Sequence, residues 1–162
     1  LGVPMFHLRR DPRGPPRRHL RPSRVAHAIP EVERAARAYL TSDHCVIDGE
    51  DFFIRGVVEL PLLDAEGYCG YGVWVSQRPE NYERYCAQTD SDAIGPFFGW
   101  LSSELRYPTS TLNLPTMAHF RRANLRPRMV LEPGEHPLAL EQRRGITEAR
   151  AWKIVHGYWP AQ

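Results

Sequence analysis

Three carboxylates fall within four residues, at Asp48, Glu50 and Asp51, and the guanidinium of Arg55 follows four positions later. Acids so placed can act as a general acid/base pair or hold a hard cation. The same residues also have a structural use. Asp48-Gly49 is a hairpin-turn dipeptide, and the other acids can be solvated or paired with Arg55. A catalytic carboxylate needs a cleft and a partner, and the sequence shows neither. The structural reading is the one adopted, with Asp48, Glu50 and Arg55 kept as binding candidates.

The other reactive side chains are dispersed. His119, His136 and His156 fall on separate elements without a ligand spacing such as His-x-x-x-His, so each reads first as a structural histidine. Ser102 and Ser103 lack the Gly-x-Ser-x-Gly elbow of a serine nucleophile. Gly67, Gly70 and Gly72 precede a strand and not a helix, which excludes a phosphate loop. Trp74 and Trp100 can line a pocket, though packing is their expected job. Arg121, Arg122, Arg126 and Arg128, beside Phe120, form the basic cluster of the body. They can touch a phosphate backbone, but a solvated or acid-paired strand face is the simpler expectation. The binding candidates are thus Asp48, Glu50, Arg55, Trp74, Trp100, His119, Arg128 and His136, with no catalytic residue assigned and no metal expected in this chain. Cys45, Cys69 and Cys86 have no metal-ligand spacing, and Cys69 and Cys86 are expected to fill core positions. An odd number of cysteines suits a reducing cytoplasm.

Positioning these residues requires a folded body, and the chain changes character at Pro30. Residues 1–30 carry seven arginines against Asp11, and six of the fifteen prolines. From Glu31 on there are 21 − 7 = 14 basic residues and 19 − 1 = 18 acids, a net of −4. The head, residues 1–28, cannot bury enough surface to offset chain entropy and is expected to be disordered. Residues 29–162 are expected to form a single domain. A helix should start at Pro30, turn Ile29, Val32, Ala36, Tyr39 and Leu40 inward, and end near Thr41. Strands are expected over 45–47, 52–62, 71–76 and 97–101, with weaker ones over 112–120 and 128–131. Along the second, Phe52, Ile54, Val58 and Leu60 share one face and Arg55 and Glu59 the other, a half-buried pattern. Short helices follow Pro79 and Thr147, the last with Gly157 as its stop. Strands joined without regular crossover helices predict an α+β fold around a mostly antiparallel sheet flanked by a few short helices. No apolar run reaches the roughly 18 residues of a membrane helix, and no signal peptide is read.

The run Cys45-Val-Ile-Asp-Gly-Glu-Asp-Phe-Phe-Ile-Arg-Gly56 resembles a bacterial family, domain of unknown function 2199. The likeness continues through Gly72-Val-Trp-Val-Ser76, Phe98-Gly-Trp-Leu-Ser102, Thr111-Leu-Asn-Leu114, Leu125-Arg-Pro-Arg128, His136-Pro-Leu-Ala139, Glu141-Gln142 and Gly145-Ile146-Thr147, roughly residues 29–150. It implies a small cytoplasmic bacterial protein and no particular reaction. Members of that family usually open with Cys-x-x-Cys-Gly, a His and Glu-Gly-Leu-Pro, which can supply zinc ligands in relatives with an intact head. Cys45 is a candidate further ligand there. This chain departs from that pattern. Leu1 in place of a starting Met suggests an incomplete or mis-started frame. Met5 is ATG and Phe6 begins with T, so a one-base shift forces a cysteine. Synonymous codons for His7 to Pro16, shifted likewise, read Thr-Cys-Gly-Glu-Thr-His-Glu-Gly-Leu-Pro. Residues 5 to about 26 are therefore read as a frameshifted family head, against the alternative of a genuine basic tail.

Three functions follow in order of expectation. The first is a non-catalytic binding or interaction module with a protein partner or a second copy of itself, outside any membrane. The second is an enzyme using Asp48, Glu50, Arg55 and His119 in one pocket. Nucleic-acid binding through the arginines is third, disfavoured by the acidic body.

Overall fold

The tight turn at Asp48-Gly49 shows how local sequence builds this sheet. Both residues have positive φ, 53° and 69°, and Glu50 N–H donates to the Ile47 carbonyl at 3.0 Å. Two consecutive left-handed residues match the twist of the flanking strands, and Asp-Gly accepts that conformation readily. The hairpin joins β3 (His44–Ile47) to β4 (Asp51–Pro61). A computed structural model describes residues 3–7, 29–88 and 90–158 of the chain.

Before the hairpin come β1 (Val3–His7), α1 (Glu31–Arg37) and β2 (Ala38–Leu40). After it come β5 (Tyr68–Gln77), α2 (Pro79–Ala87), β6 (Phe97–Trp100), β7 (Pro115–His119), β8 (Arg128–Leu131), α3 (Pro137–Arg144) and α4 (Glu148–Tyr158). The strands join one sheet in the order β1-β5-β4-β8-β7-β6, with β3 beside the first part of β4 and β2 outside β3. Every pairing between these strands is antiparallel except the bridge Val57↔Arg128 between β4 and β8, and outside them an isolated parallel bridge joins Leu62 to Ile146. This is the expected α+β fold.

The sheet curls until its far edge returns to β5. β1 occupies the edge of β5 along Tyr68–Gly72. Further along, Leu101 bridges Val75, Ser102 N–H donates to the Trp74 carbonyl at 2.8 Å, and Ser103 Oγ accepts from Trp74 N–H at 2.9 Å. The close approach needs glycine. A Cβ at Gly99 would collide with the Ser76 carbonyl oxygen and Val75.

Inside the curl lies the main core, where Ile54, Val58, Tyr71, Val75 and Met129 meet Tyr85 of α2, Leu138 of α3 and Ile154 of α4. Burying one such side chain is worth about 1.5–3 kcal/mol. On the opposite face of β4 and β5, Ile29, Cys45, Ile47, Phe53 and Trp74 form a smaller layer. Arg55 and Glu59 lie on this face and are buried too, so the half-buried expectation for β4 fails. The sheet is covered on both sides here.

Three further expectations need correction. The first helix stops at Arg37, no residue of it is buried, and Val32 is 90% exposed. Its stop has a visible cause: Arg37 forks onto Asp48 at 2.8 and 2.7 Å, and Asp48 N–H bonds the Arg37 carbonyl. That contact pulls the following residues into β2, so Tyr39 and Leu40 are exposed strand residues. Next, α3 had no counterpart in the sequence reading. Its N-cap is His136, whose Nδ1 accepts from Leu138 N–H at 3.1 Å. Finally, Gly157 lies within α4 and does not end it. The head expected to be disordered falls outside the described residues, except Val3–His7.

Where β8 leaves β4, a side chain replaces the strand partner. Gln142 Nε2 donates to the Met129 carbonyl at 2.7 Å, and its Oε1 accepts from Leu131 N–H at 2.8 Å. Glu141 beside it accepts from Tyr107 Oη at 2.5 Å and Arg150 Nε at 2.7 Å, tying α3 to α4 and to the 102–111 segment.

Candidate functional site

The outer face of β6, β7 and β8 is where apolar side chains meet solvent. Strand alternation turns Phe97 and Gly99 inward and Phe98 and Trp100 outward, and these two are 42% and 48% exposed. Their rings stand edge-to-face with centroids 5.0 Å apart. Register carries the stripe across the sheet: Phe98 pairs with Met117, Trp100 with Pro115, and Met117 with Val130. Met117 and Val130 then line a shallow groove of about 360 Å³ with Pro133 and Ala139, where Arg128 and Arg143 stand beside a single carboxylate, Glu132. Soluble surfaces seldom leave rimmed aromatic stripes open without a use.

The candidates read from sequence do not converge on one pocket. Asp48 is committed to Arg37 at the exposed turn, not to Arg55, and Glu50 is exposed beside it. Arg55 lies mid-strand, cross-paired with Trp74, its guanidinium carbon 5.9 Å from the ring centroid. Trp74 packs as expected, whereas Trp100 is half-exposed, touches Phe98 and belongs to the open stripe. His119 is exposed and opposite Arg128. His136 uses both ring nitrogens structurally, Nδ1 as a cap acceptor and Nε2 against the Thr109 carbonyl at 3.3 Å. No hydrogen bond or ion pair links Asp48 or Glu50 to Arg55 or His119 among the described residues. The arginine cluster is acid-paired: Arg121 and Arg128 share Glu59, Arg122 meets Asp92, and Arg126 meets Asp43.

Sequence reasoning missed a second constellation. Cys86, expected in the core, is exposed. Its Sγ lies 3.3 Å from His44 Nδ1, and Tyr82 Oη lies 3.4 Å from the same nitrogen. Helical spacing puts Tyr82 and Cys86 on one side of α2, while β3 brings His44 to them. Burial holds the His44 imidazole below its ordinary pKa, against the opposing charge of Asp43. Burial, and then contact with Cys86, push the Tyr82 hydroxyl up. A neutral imidazole beside a thiol is a proton acceptor for it. Forty-two positions separate the pair, so no local motif signals it. Cys45 and Cys69 are fully buried, and burial raises both thiols to about 11. Among the described residues, no three His, Cys, Asp or Glu side chains gather as metal ligands. No helix among them is long and apolar enough to cross a membrane.

Neither the curated proteins nor the solved structures provide a match to this chain. A family model does match, over residues 14–146, starting earlier than the residue 29 at which the resemblance was placed. Most of the chain is covered, and with it the β6–β8 face and the His44–Cys86 pair: the protein belongs to the family described as an uncharacterized protein conserved in bacteria, DUF2199.

Proposed function

We propose that this protein is a non-catalytic binding module that docks a partner segment bearing apolar and acidic side chains along Phe98, Trp100, Met117 and Val130. The observation that carries this reading is the exposed Phe98–Trp100 pair, continuous by strand register with the Met117–Val130 groove. Aromatic anchors beside a groove supply most of the energy of such contacts. The groove's two guanidiniums, Arg128 and Arg143, outnumber Glu132 and select acidic flanks over basic ones. Arg128 lies 3.4 Å from Glu59 and remains 46% exposed, leaving Arg143 as the freer of the two. Nucleic acid is the weaker partner class, because the four clustered arginines, Arg121, Arg122, Arg126 and Arg128, already meet carboxylates.

The test uses short synthetic peptides with an apolar core, flanked either by Asp and Glu or by Lys, titrated against the full chain. Acid-flanked peptides should bind, and the double variant F98S/W100S should bind them at least about ten-fold more weakly, ~1.4 kcal/mol, with an unchanged melting temperature. Equal binding of both peptide sets overturns the reading. So does concentration-dependent dimerisation that the same variant abolishes, since the stripe would then be covered by a second copy.

A cytoplasmic location is part of this proposal, supported by three free cysteines. So is the frameshifted head, supported by the codon arithmetic over residues 5 to about 26. Resequencing those codons tests it: two compensating single-base slips would restore a Cys-x-x-Cys head and make zinc content the next measurement.

A further inference from the structure

Arg55 is the anomaly of the outer layer. The residue is 7% exposed, and its guanidinium makes no side-chain hydrogen bond or ion pair among the described residues. Its Nε is buried without an acceptor. The contrast with its neighbours is direct, since Arg121, Arg122, Arg126 and Arg128 each meet a carboxylate. A guanidinium stays charged whatever its surroundings, and a buried charge without a hydrogen-bonded partner is costly. The face of Trp74 offsets only part of that cost.

The surroundings offer Arg55 no counter-charge of its own. Asp43 is the nearby carboxylate, and it already accepts from Ser42 Oγ at 2.6 Å and Arg126 Nε at 2.6 Å. Arg126 also stands close enough to repel Arg55. Arg55, Arg126 and Asp43 therefore sum to 2 − 1 = +1. A second orphaned donor, the Nε of Arg34, belongs to the same layer. Arg34 Nη2 bonds the Ile29 carbonyl, and Ile29 packs in the cluster with Trp74.

We propose that Arg55 is the recognition group of a small-oxyanion site, taking a carboxylate or phosphate group along the guanidinium edge with Trp74 against its face. The planar fork of N–H donors matches two oxygens of either anion. Arg126 adds charge beside it while staying fixed by Asp43. This site is independent of the docking stripe, which lies on β6, β7 and β8.

The test follows the arginine Nε–H signals of the full-length, 15N-labelled chain by NMR while inorganic phosphate, and separately acetate, replaces chloride at constant ionic strength. The Arg55 signal, assigned in the wild-type chain by correlation to its own backbone resonances, should shift saturably with one or both anions. Phosphate responding alone assigns a phosphate ligand, acetate responding alone a carboxylate, and both responding a site that takes either oxyanion. The melting temperature should rise by roughly 3 °C at saturation, and R55K, which keeps the charge but not the fork, should lose the response. R55M should also lose it, and in chloride should melt no lower than wild type, because it removes an unpaired buried cation. An Arg55 Nε–H that stays unmoved through both titrations overturns the proposal, and this readout needs no variant to fold. A shift that rises linearly and equally for all arginines overturns it too.

Discussion

Cys86 Sγ lies 3.3 Å from Nδ1 of His44, on the exposed end of α2. The thiolate is the reactive form of cysteine, and His44, held neutral by burial, is placed to take the thiol proton. Iodoacetamide on the native protein should therefore alkylate Cys86 first and leave Cys45 and Cys69 untouched until denaturant is added. H44Q should slow Cys86 alkylation by about an order of magnitude without exposing the other two thiols. Mass spectrometry of the digested protein reads both. Labelling of Cys45 or Cys69 at the same rate as Cys86 would contradict the burial on which this rests.

Acid stability should fall in two stages. The folded pKa of His44 is lowered from 6.5, so the unfolded chain takes up the proton first. Its contribution is complete above about 6.5 and declines as pH drops below that value. Asp43 acts at lower pH. Burial works to raise its carboxyl, but the hydrogen bonds from Ser42 and Arg126 together hold it below 3.8. That contribution is present above 3.8 and is lost as pH falls through the folded value. Urea midpoints from pH 8 to 3 should show both stages in the wild type. In H44Q the stage just below pH 6.5 should shrink while the lower one stays.

Gln142 stands in for a strand. Its amide satisfies Met129 C=O and Leu131 N–H where β4 no longer pairs with β8. Q142A leaves two buried backbone groups unpaired, at about 1–3 kcal/mol each. The expected loss is roughly 2–5 kcal/mol in chemical unfolding, out of proportion to the volume removed. Q142E should also be destabilised, because a carboxylate replaces the donor that faces the Met129 carbonyl.

Much of the sheet was legible because its signals are local. Phe52 to Leu60 alternates, Asp48-Gly49 turns, and Pro79 opens α2 at the expected place. What escaped depends on distant residues. Arg55 and Glu59 look like solvent-facing positions until the 29–47 segment covers their side of the sheet. α3 buries only Leu138, Ala139 and Gln142 and is capped by a histidine, so neither its stripe nor its start resembles a usual helix. Trp100 has the composition of a core residue, and only the position of β6 near the sheet's far edge leaves it outside. Both constellations, the Phe98–Val130 stripe and the His44–Cys86 pair, are made by pairing across strands or between strand and helix, which one-dimensional spacing does not record.

Gly99 closes the curled sheet, and substitution there tests that closure directly. Its inward Cβ position points at the Ser76 carbonyl, the Val75 side chain and Gln77 Nε2. The first of these is backbone and cannot swing aside. Trp100 N–H donates to Ser76 Oγ at 3.0 Å and Leu101 bridges Val75, so pushing the strands apart also strains the seam contacts on either side. G99A should cost about 1–3 kcal/mol, the range of an overpacked core. It should also speed hydrogen exchange at Trp100, Leu101 and Ser102 more than along the β3–β4 hairpin. G49A tests a different glycine property. Nothing lies within 4 Å of a Cβ there, but φ is +69°, so its cost of about 1 kcal/mol is conformational and should leave exchange at the seam unchanged.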